Sequence, residues 1–228
     1  LLTRAEYDLA RIELYTEVAK GDTIANQKLL PIIAYTYQLE GKHRKAESLY
    51  RESIQLSSGQ NQSFIDTLKA NYCYSLIQIG EMGKAYTTLY EIPDELALPI
   101  KKLFYIQTIE KNKPQVDDVF SDTELEHLAE LSSSLKNPKM SGLLSALFPG
   151  AGQFYSEHYI DGAQALIVVG AGFIYSTVAY QSYQDGLRGS FLPAFTIGMT
   201  SLFHYGNILG AYRTAIYRNM KLKRDFLS

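Results

Sequence analysis

The hydrophobic pattern changes character part-way along the chain. Through residues 1–136, apolar positions recur at helical spacing among frequent charges, and the pattern predicts helix throughout. Three hydroxyl–acid pairs mark helix starts: Thr3-x-x-Glu6, Ser63-x-x-Asp66 and Ser121-x-x-Glu124. In each, the hydroxyl is placed to accept from a free backbone N–H of the first turn. Gly21, Gly41, Gly59 and Gly80 fall at expected helix ends, where a left-handed residue costs least. Lys136-Asn137-Pro138-Lys139 then breaks the helix, and charge-free runs follow at 140–156, 162–184 and 189–212. The last two are 23 and 24 residues long, and about 20 apolar residues suffice to cross a bilayer. The expected division is a charged helical domain over 1–136 and an apolar, membrane-associated region over 137–228.

Within the first region two stretches align. Leu30, Ile33, Ala34, Tyr37, Gly41, Ala46 and Tyr50 match Lys69, Tyr72, Cys73, Leu76, Gly80, Ala85 and Leu89. In each, a small residue is followed by a large one, a turn glycine and then an alanine that lets two helices approach. This pattern, over about 25–112, resembles the tetratricopeptide repeat, a helix pair of about 34 residues. Ala46 and Ala85 lie 39 residues apart, and Ser57-Ser58-Gly59-Gln60-Asn61-Gln62 is expected to absorb the excess as a longer loop. Lys69 departs from the pattern, because the repeat usually carries an apolar residue there. Helix 3–19 reads as half of an earlier repeat, and 95–112 and 122–136 as capping helices. The alternative is a helical bundle without repeats. The resemblance implies a concave surface for a protein partner, with Tyr35, Tyr37, Tyr74 and Tyr86 lining it. Tyr37 and Tyr72 also occupy packing positions of the repeat and are equally expected in its core.

The apolar region opens with a short run ending in Phe148-Pro149-Gly150-Ala151-Gly152-Gln153-Phe154-Tyr155, too short to span and read as interfacial or re-entrant. Asp161 is expected to cap a helix over 162–182, and a second helix is expected over about 191–218. Gly198, Gly206 and Gly210 share one face of the second, and Gly172-x-x-x-Ser176 offers a matching seam on the first. The predicted arrangement is an antiparallel membrane hairpin; a hairpin buried in a soluble protein is the alternative. His204, Asn207 and Arg213 are polar groups on an apolar helix, where such groups are costly and often functional. The blander expectation is that Asn207 bonds across the hairpin and His204 sits near the headgroups.

Pro149-Gly150-x-Gly152-Gln153-x-Tyr155, followed by the glycine-rich hairpin and Tyr205-Gly206-Asn207-Ile208-x-Gly210-Ala211-Tyr212, resembles a bacterial envelope family of unassigned function. Its members join tetratricopeptide-like repeats to this membrane region. Residues 139–226 also look like small two-transmembrane proteins with a Pro/Gly-rich approach. The resemblance implies an envelope location and a cleaved signal peptide, and no reaction.

Charge sharpens the division. Residues 1–138 carry 15 Lys/Arg and 20 Asp/Glu, and residues 139–228 carry 7 and 4. The overall charge of −2 excludes a generally basic nucleic-acid binder. Basic groups flank the hairpin at Lys136 and Lys139 and at Arg213, Arg218, Lys221, Lys223 and Arg224. The positive-inside rule sets these, and the repeats, on the cytoplasmic side. The start at Leu-Leu-Thr-Arg, without Met, and an expected signal peptide set the repeats in the periplasm instead. The periplasmic side of an inner membrane is the expectation adopted.

Reactive chemistry is sparse. Cys73 is the single cysteine, in a small-residue repeat position, and is expected to be inert core. His43, His127, His158 and His204 lie too far apart in sequence for a metal-ligand motif. Gly150-Ala151-Gly152 lacks the spacing of a dinucleotide or phosphate loop, and no nucleophile elbow is present. The expectation is therefore a non-enzymatic, cofactor-free adaptor. It would hold a protein partner through the repeats, and lipid and a membrane partner through 139–218. The alternatives are a small oligomeric channel with Asn207 facing its pore, or a soluble repeat protein with a hydrophobic docking tail.

Overall fold

The computed structural model describes residues 4–21, 23–57, 59–109, 119–187 and 189–227, and all their regular structure is helical. The chain forms two compact units, Leu1–Leu125 and Glu126–Ser228.

The first unit is built from α1 (Arg4–Val18), α2 (Thr23–Leu39), α3 (His43–Leu56), α4 (Gln62–Ile79), α5 (Met82–Leu89) and α6 (Asp94–Thr108). Each packs on its neighbour in sequence. Alanine sits fully buried where partners cross: Ala34 against Ala46, and Ala85 beside Cys73. Tyr50, Leu76 and Leu89 fill the space around these contacts. The Cys73 thiol donates to the Ala85 carbonyl at 3.4 Å, and burial pushes its pKa up to about 12, so it stays a protonated core group. Lys69 pairs with Glu91 at 2.6 Å. Gly41 and Gly80 take φ of +73° and +84° at helix ends, as their positions require.

The helix starts divide. At α7 (Asp122–Ser134), Ser121 N–H donates to Glu124 at 2.9 Å and Glu124 N–H to the Ser121 hydroxyl at 3.4 Å, closing the expected box. At α4 the expectation needs correction. Asn61 caps, accepting from Ser63 N–H at 3.0 Å, and Asp66 accepts from the Gln62 amide. The shorter Asp side chain does not reach back as Glu does. Thr3 of the remaining box lies outside the described residues.

The second unit adds α8 (Pro138–Leu147), α9 (Ala151–Tyr155), α10 (Tyr159–Gln184) and α11 (Phe191–Leu227). Asn137 caps α8 by accepting from Lys139 and Met140 N–H, with Pro138 in the first turn where no N–H is needed. Helix α11, 37 residues and roughly 55 Å long at 1.5 Å per residue, is the spine against which α8, α9 and α10 all pack. It runs nine residues beyond the expected end at 218. Helix α10 starts three residues before the expected 162, so Asp161 lies inside its first turn and does not cap it.

The polarity of this unit is inverted. The buried faces of α10 and α11 carry Gly162, Ser176, Ala179, Thr196, Thr200, Asn207, Ala211 and Ala215. The large apolar side chains point outward: Ile160, Ile167 and Ile174 are 76%, 68% and 69% exposed. Two membrane-crossing helices were expected. Among the described residues only α10 is long and apolar enough to cross, by length and composition, and 22% of its apolar window is buried within the chain. The Thr, Ser, His and Asn side chains of α11 dilute its hydropathy.

Candidate functional site

The conspicuous site of the second unit is the turn between α8 and α9, where backbone closeness and buried polar groups depend on each other. Gly150 holds φ +85°, and a Cβ there would sit 2.2 Å from the Gly162 carbonyl oxygen. A Cβ on Gly152 would sit 1.9 Å from the Ser141 carbonyl oxygen. Neither position accepts another residue without moving main chain. Pro149 is partly buried between these contacts and Phe148, which points outward.

The closeness brings α9 into a network with α8 and α11. The Gln153 amide donates to the Asn207 side-chain oxygen at 2.9 Å and to the Asn207 backbone carbonyl at 3.2 Å. Its own oxygen accepts from the Ser145 hydroxyl at 2.8 Å. The Ser145 hydroxyl in turn accepts from Gly152 N–H at 2.9 Å. Asn207 accepts from Gly150 N–H and donates to the Ser145 carbonyl, both at 3.3 Å. One turn earlier on α8, the Ser141 hydroxyl lies within bonding distance of the Gly152 and Ala211 carbonyls and of Ser156. All of these side chains are buried. Such a network is worth having only when every member is satisfied, because each stranded group costs its full desolvation.

A second cluster ties the segment before α8 to α11 and α9. Asn219 exchanges two bonds with the Lys136 backbone, at 3.0 and 2.8 Å. Arg218 donates to the Ser134 carbonyl at 2.6 Å and to Glu157 at 2.8 Å. Lys136 lies 3.4 Å from Glu157 and over the Tyr155 ring, whose hydroxyl accepts from Asn137 N–H at 3.2 Å. Arg218, with Lys136 behind it, holds the Glu157 carboxyl below its ordinary pKa against the opposing effect of desolvation. Glu157 also takes φ +65°, the one non-glycine left-handed residue among those described.

Comparison with family models, with curated proteins and with solved structures returns no match.

The buried network holds amides, hydroxyls and main chain, with no titratable side chain among them. Ser141 and Ser145 are engaged by carbonyls and amides, and no base faces either hydroxyl among the described residues. Chemically the site locks a turn. Asn207 points into this lock, where the Gln153 amide, Gly150 N–H and the Ser145 carbonyl partner it. Its partners lie on α8 and α9, not across the α10–α11 hairpin. His204 bonds the Ala146 carbonyl through Nε2 at 3.2 Å. A carbonyl only accepts, so Nε2 carries the proton, and Nδ1 is buried without a partner in the structure.

The expected helix seam is rearranged. Gly172 and Ser176 meet Thr200, with Ser176 and Thr200 hydroxyls 3.1 Å apart. Gly206 and Gly198 face open space, and Gly210 faces the Gln153 amide. The pairing of Gly172/Ser176 with Gly206/Gly210 is thus not formed, because α8 and α9 occupy α11 from Asn207 onward. Arg213 is exposed.

The tyrosines divide too. Tyr37 is sandwiched under Arg11, whose guanidinium lies 4.4 Å from the ring centroid and pairs with Glu40 at 2.6 Å. Burial pushes the Glu40 carboxyl up, yet bonds from Arg11 and Lys42 hold it below its ordinary value. Tyr74 packs edge-on to His43. Tyr35 and Tyr86 are exposed, Tyr86 against the Tyr90 ring at 5.0 Å. Ser141, Ser145, Ser156 and Asn219 were not singled out as site residues from sequence. The one legible signal was Ser141 and Ser145, four apart on an otherwise apolar helix.

Proposed function

We propose that this protein is a non-enzymatic membrane-anchored adaptor, in which tetratricopeptide-like helix pairs of the first unit hold a protein partner and the second unit sits in a bilayer. One observation carries the anchor: α10 turns most of its large apolar side chains outward, Val169 excepted, while Gly162, Ser176 and Ala179 are buried. In water each large side chain left out forgoes about 1.5–3 kcal/mol of burial. In lipid that penalty vanishes, and small residues at the helix contact favour close packing. The 26 residues of α10 reach roughly 39 Å, ample for a hydrocarbon core of about 30 Å.

The repeat reading is supported by equivalent burial in both pairs: Ala34, Ala46 and Tyr50 in one, Cys73, Ala85 and Leu89 in the other. The exposed Tyr35 and Tyr86 are the contacts offered to a partner. The reading sets the chain in a bacterial envelope, in the inner membrane because outer-membrane spans are β-barrels, with the repeats periplasmic. Alkaline-carbonate extraction of membranes carrying the full chain tests the anchor. Retention in the pellet supports it; release leaves 139–228 as a surface for docking on protein. A photoreactive residue at Tyr86, crosslinking one discrete protein, tests the adaptor role.

A further inference from the structure

Resting on the membrane reading above, we propose that α8, the Pro-Gly turn and α9 form a re-entrant hairpin. It enters the bilayer from the side of the basic cluster, offers Leu143, Leu147 and Phe148 to the acyl chains of that leaflet, and leaves on the same side. Its two ends are tied at one level of α11. Before α8, Asn219 holds the Lys136 backbone and Arg218 the Ser134 carbonyl. After α9, Glu157 pairs with the same Arg218, and the Tyr155 hydroxyl meets Asn137 N–H.

Between these ties α8 runs along α11 and not across it. Ser141 meets Ala211, Ser145 meets Asn207, and Ala146 meets His204. Each step along α8 toward the turn is thus a step along α11 away from Arg213. Helix α11 lies in turn beside α10: Ser176 meets Thr200, and the Phe173 ring lies 5.7 Å from that of His204. A bilayer crossed by α10 therefore takes in this stretch of α11, and the turn with it. Arg213 ends the charge-free run of α11 and is nine residues from His204, roughly 14 Å of helix. Half of a hydrocarbon core is about 15 Å, so the turn comes close to the middle of the bilayer. The modest hydropathy of α11 does not oppose this. Its Thr196, Thr200 and Asn207 are buried against neighbouring helices, while Leu202, Phe203 and Leu209 are exposed.

A turn at that depth has to satisfy its main chain within the protein, because hydrocarbon offers no partner. The lock does this for groups that the end of one helix and the start of the next leave free. His204 serves the Ala146 carbonyl, and Asn207 serves the Ser145 carbonyl and Gly150 N–H. The Ser145 hydroxyl serves Gly152 N–H. At a surface turn water would do the same work. The outer surface fits the same setting: Leu143, Leu147 and Phe148 are 55%, 65% and 71% exposed, and residues 140–156 carry no charge. A helix lying flat at the interface pairs its apolar face with a charged one, which α8 lacks beyond Lys139.

The chain has no tryptophan, so a single one reports alone. The test places it at Phe148→Trp, Ile174→Trp or Tyr212→Trp, all exposed positions, in the whole chain. Each is reconstituted in phosphatidylcholine vesicles whose acyl chains carry bromine at a shallow or a deep position, and the loss of tryptophan emission is compared. Phe148→Trp and Ile174→Trp are expected to lose most emission to the deep bromines, and Tyr212→Trp, beside Arg213, to the shallow ones. Should Phe148→Trp follow Tyr212→Trp, the segment lies at the interface and the proposal fails. It fails equally when neither bromine quenches Phe148→Trp while Ile174→Trp is quenched, because the tip then lies outside lipid and α10 within it. Ile174→Trp quenched by neither removes the membrane reading itself, and the re-entrant hairpin with it.

Discussion

The two units solve the packing problem in opposite ways. In the first, most of the core is apolar and small residues let helices touch: Ala34, Ala46, Cys73 and Ala85 are fully buried, and its ion pairs range from the exposed Lys101–Asp94 to the buried Arg11–Glu40. In the second, the centre is Ser141, Ser145, Gln153, Ser156 and Asn207, and isoleucine and phenylalanine face out. A water-facing unit gains from burying apolar area. On the proposed membrane reading, the second unit's surroundings are themselves apolar, so it gains nothing that way and is held by close contact and hydrogen bonds. The same 20 side-chain chemistries thus give inverted layers, and the helix content does not reveal which.

The largest effect expected from this contrast is at Gly152. Gly152→Ala drives a Cβ to 1.9 Å from the Ser141 carbonyl oxygen, so main chain must move. The expectation is loss of the folded second unit, more than about 4 kcal/mol. The read-out is the thermal melt in detergent. Gly83→Ala in the first unit, where a Cβ meets nothing, changes the melt little. If both alanines behave alike, the lock at the turn is not what holds the second unit.

Next come the buried polar groups. Asn207→Leu takes the side-chain acceptor from the Gln153 amide, which keeps the Asn207 backbone carbonyl, and strands Gly150 N–H; the expected cost is about 1–3 kcal/mol for the stranded group. In the first unit, Tyr50 buries a hydroxyl without a partner, and burial raises its pKa. Tyr50→Phe is therefore expected to be neutral, or to stabilise by about 1 kcal/mol. The denaturant midpoint falls for Asn207→Leu and holds or rises for Tyr50→Phe; a comparable fall in both breaks the contrast.

The smallest effect is acid sensitivity. Glu124 is held down to about 2 by its bond to Lys102 and by the Ser121 backbone and hydroxyl. A depressed carboxyl stabilises the fold above its unfolded value of 4.5 and loses that contribution as pH falls toward 2. Glu124→Gln should flatten the fall in helical circular dichroism over that window. At this exposed site the change is small, and an unchanged acid profile would remove Glu124 from the account.

Much of the first unit was legible because its signals are local. Gly41, Gly80 and the Ser121–Glu124 box act within one turn of the chain, and small residues at matching positions mark where helices cross. Asn61 displaced Ser63 as a cap because both are competent and only the emerging backbone direction chooses between them. In the second unit the Pro-Gly-x-Gly-Gln signature was visible, and so was the long apolar run of α10. The partners of Gln153 were not. Asn207 lies 54 residues away, and the expected bond across the hairpin is replaced by contacts with α8, α9 and the turn between them. The Gly206–Gly210 seam failed for a similar reason: spacing puts two glycines on one face but does not say what faces them.

Sequence alone determined the helices, the break before Pro138 and the change from charged to apolar chain, because capping, turn conformation and hydropathy act over a few residues. Only the tertiary structure decided that the hydroxyls of α8 meet Gln153 and Asn207, that Gly150 and Gly152 touch main chain, and that Gly206 opens outward. Those outcomes depend on the register between helices far apart in the chain. That register is set by the summed packing of every contact at once, and no single stretch of residues encodes it.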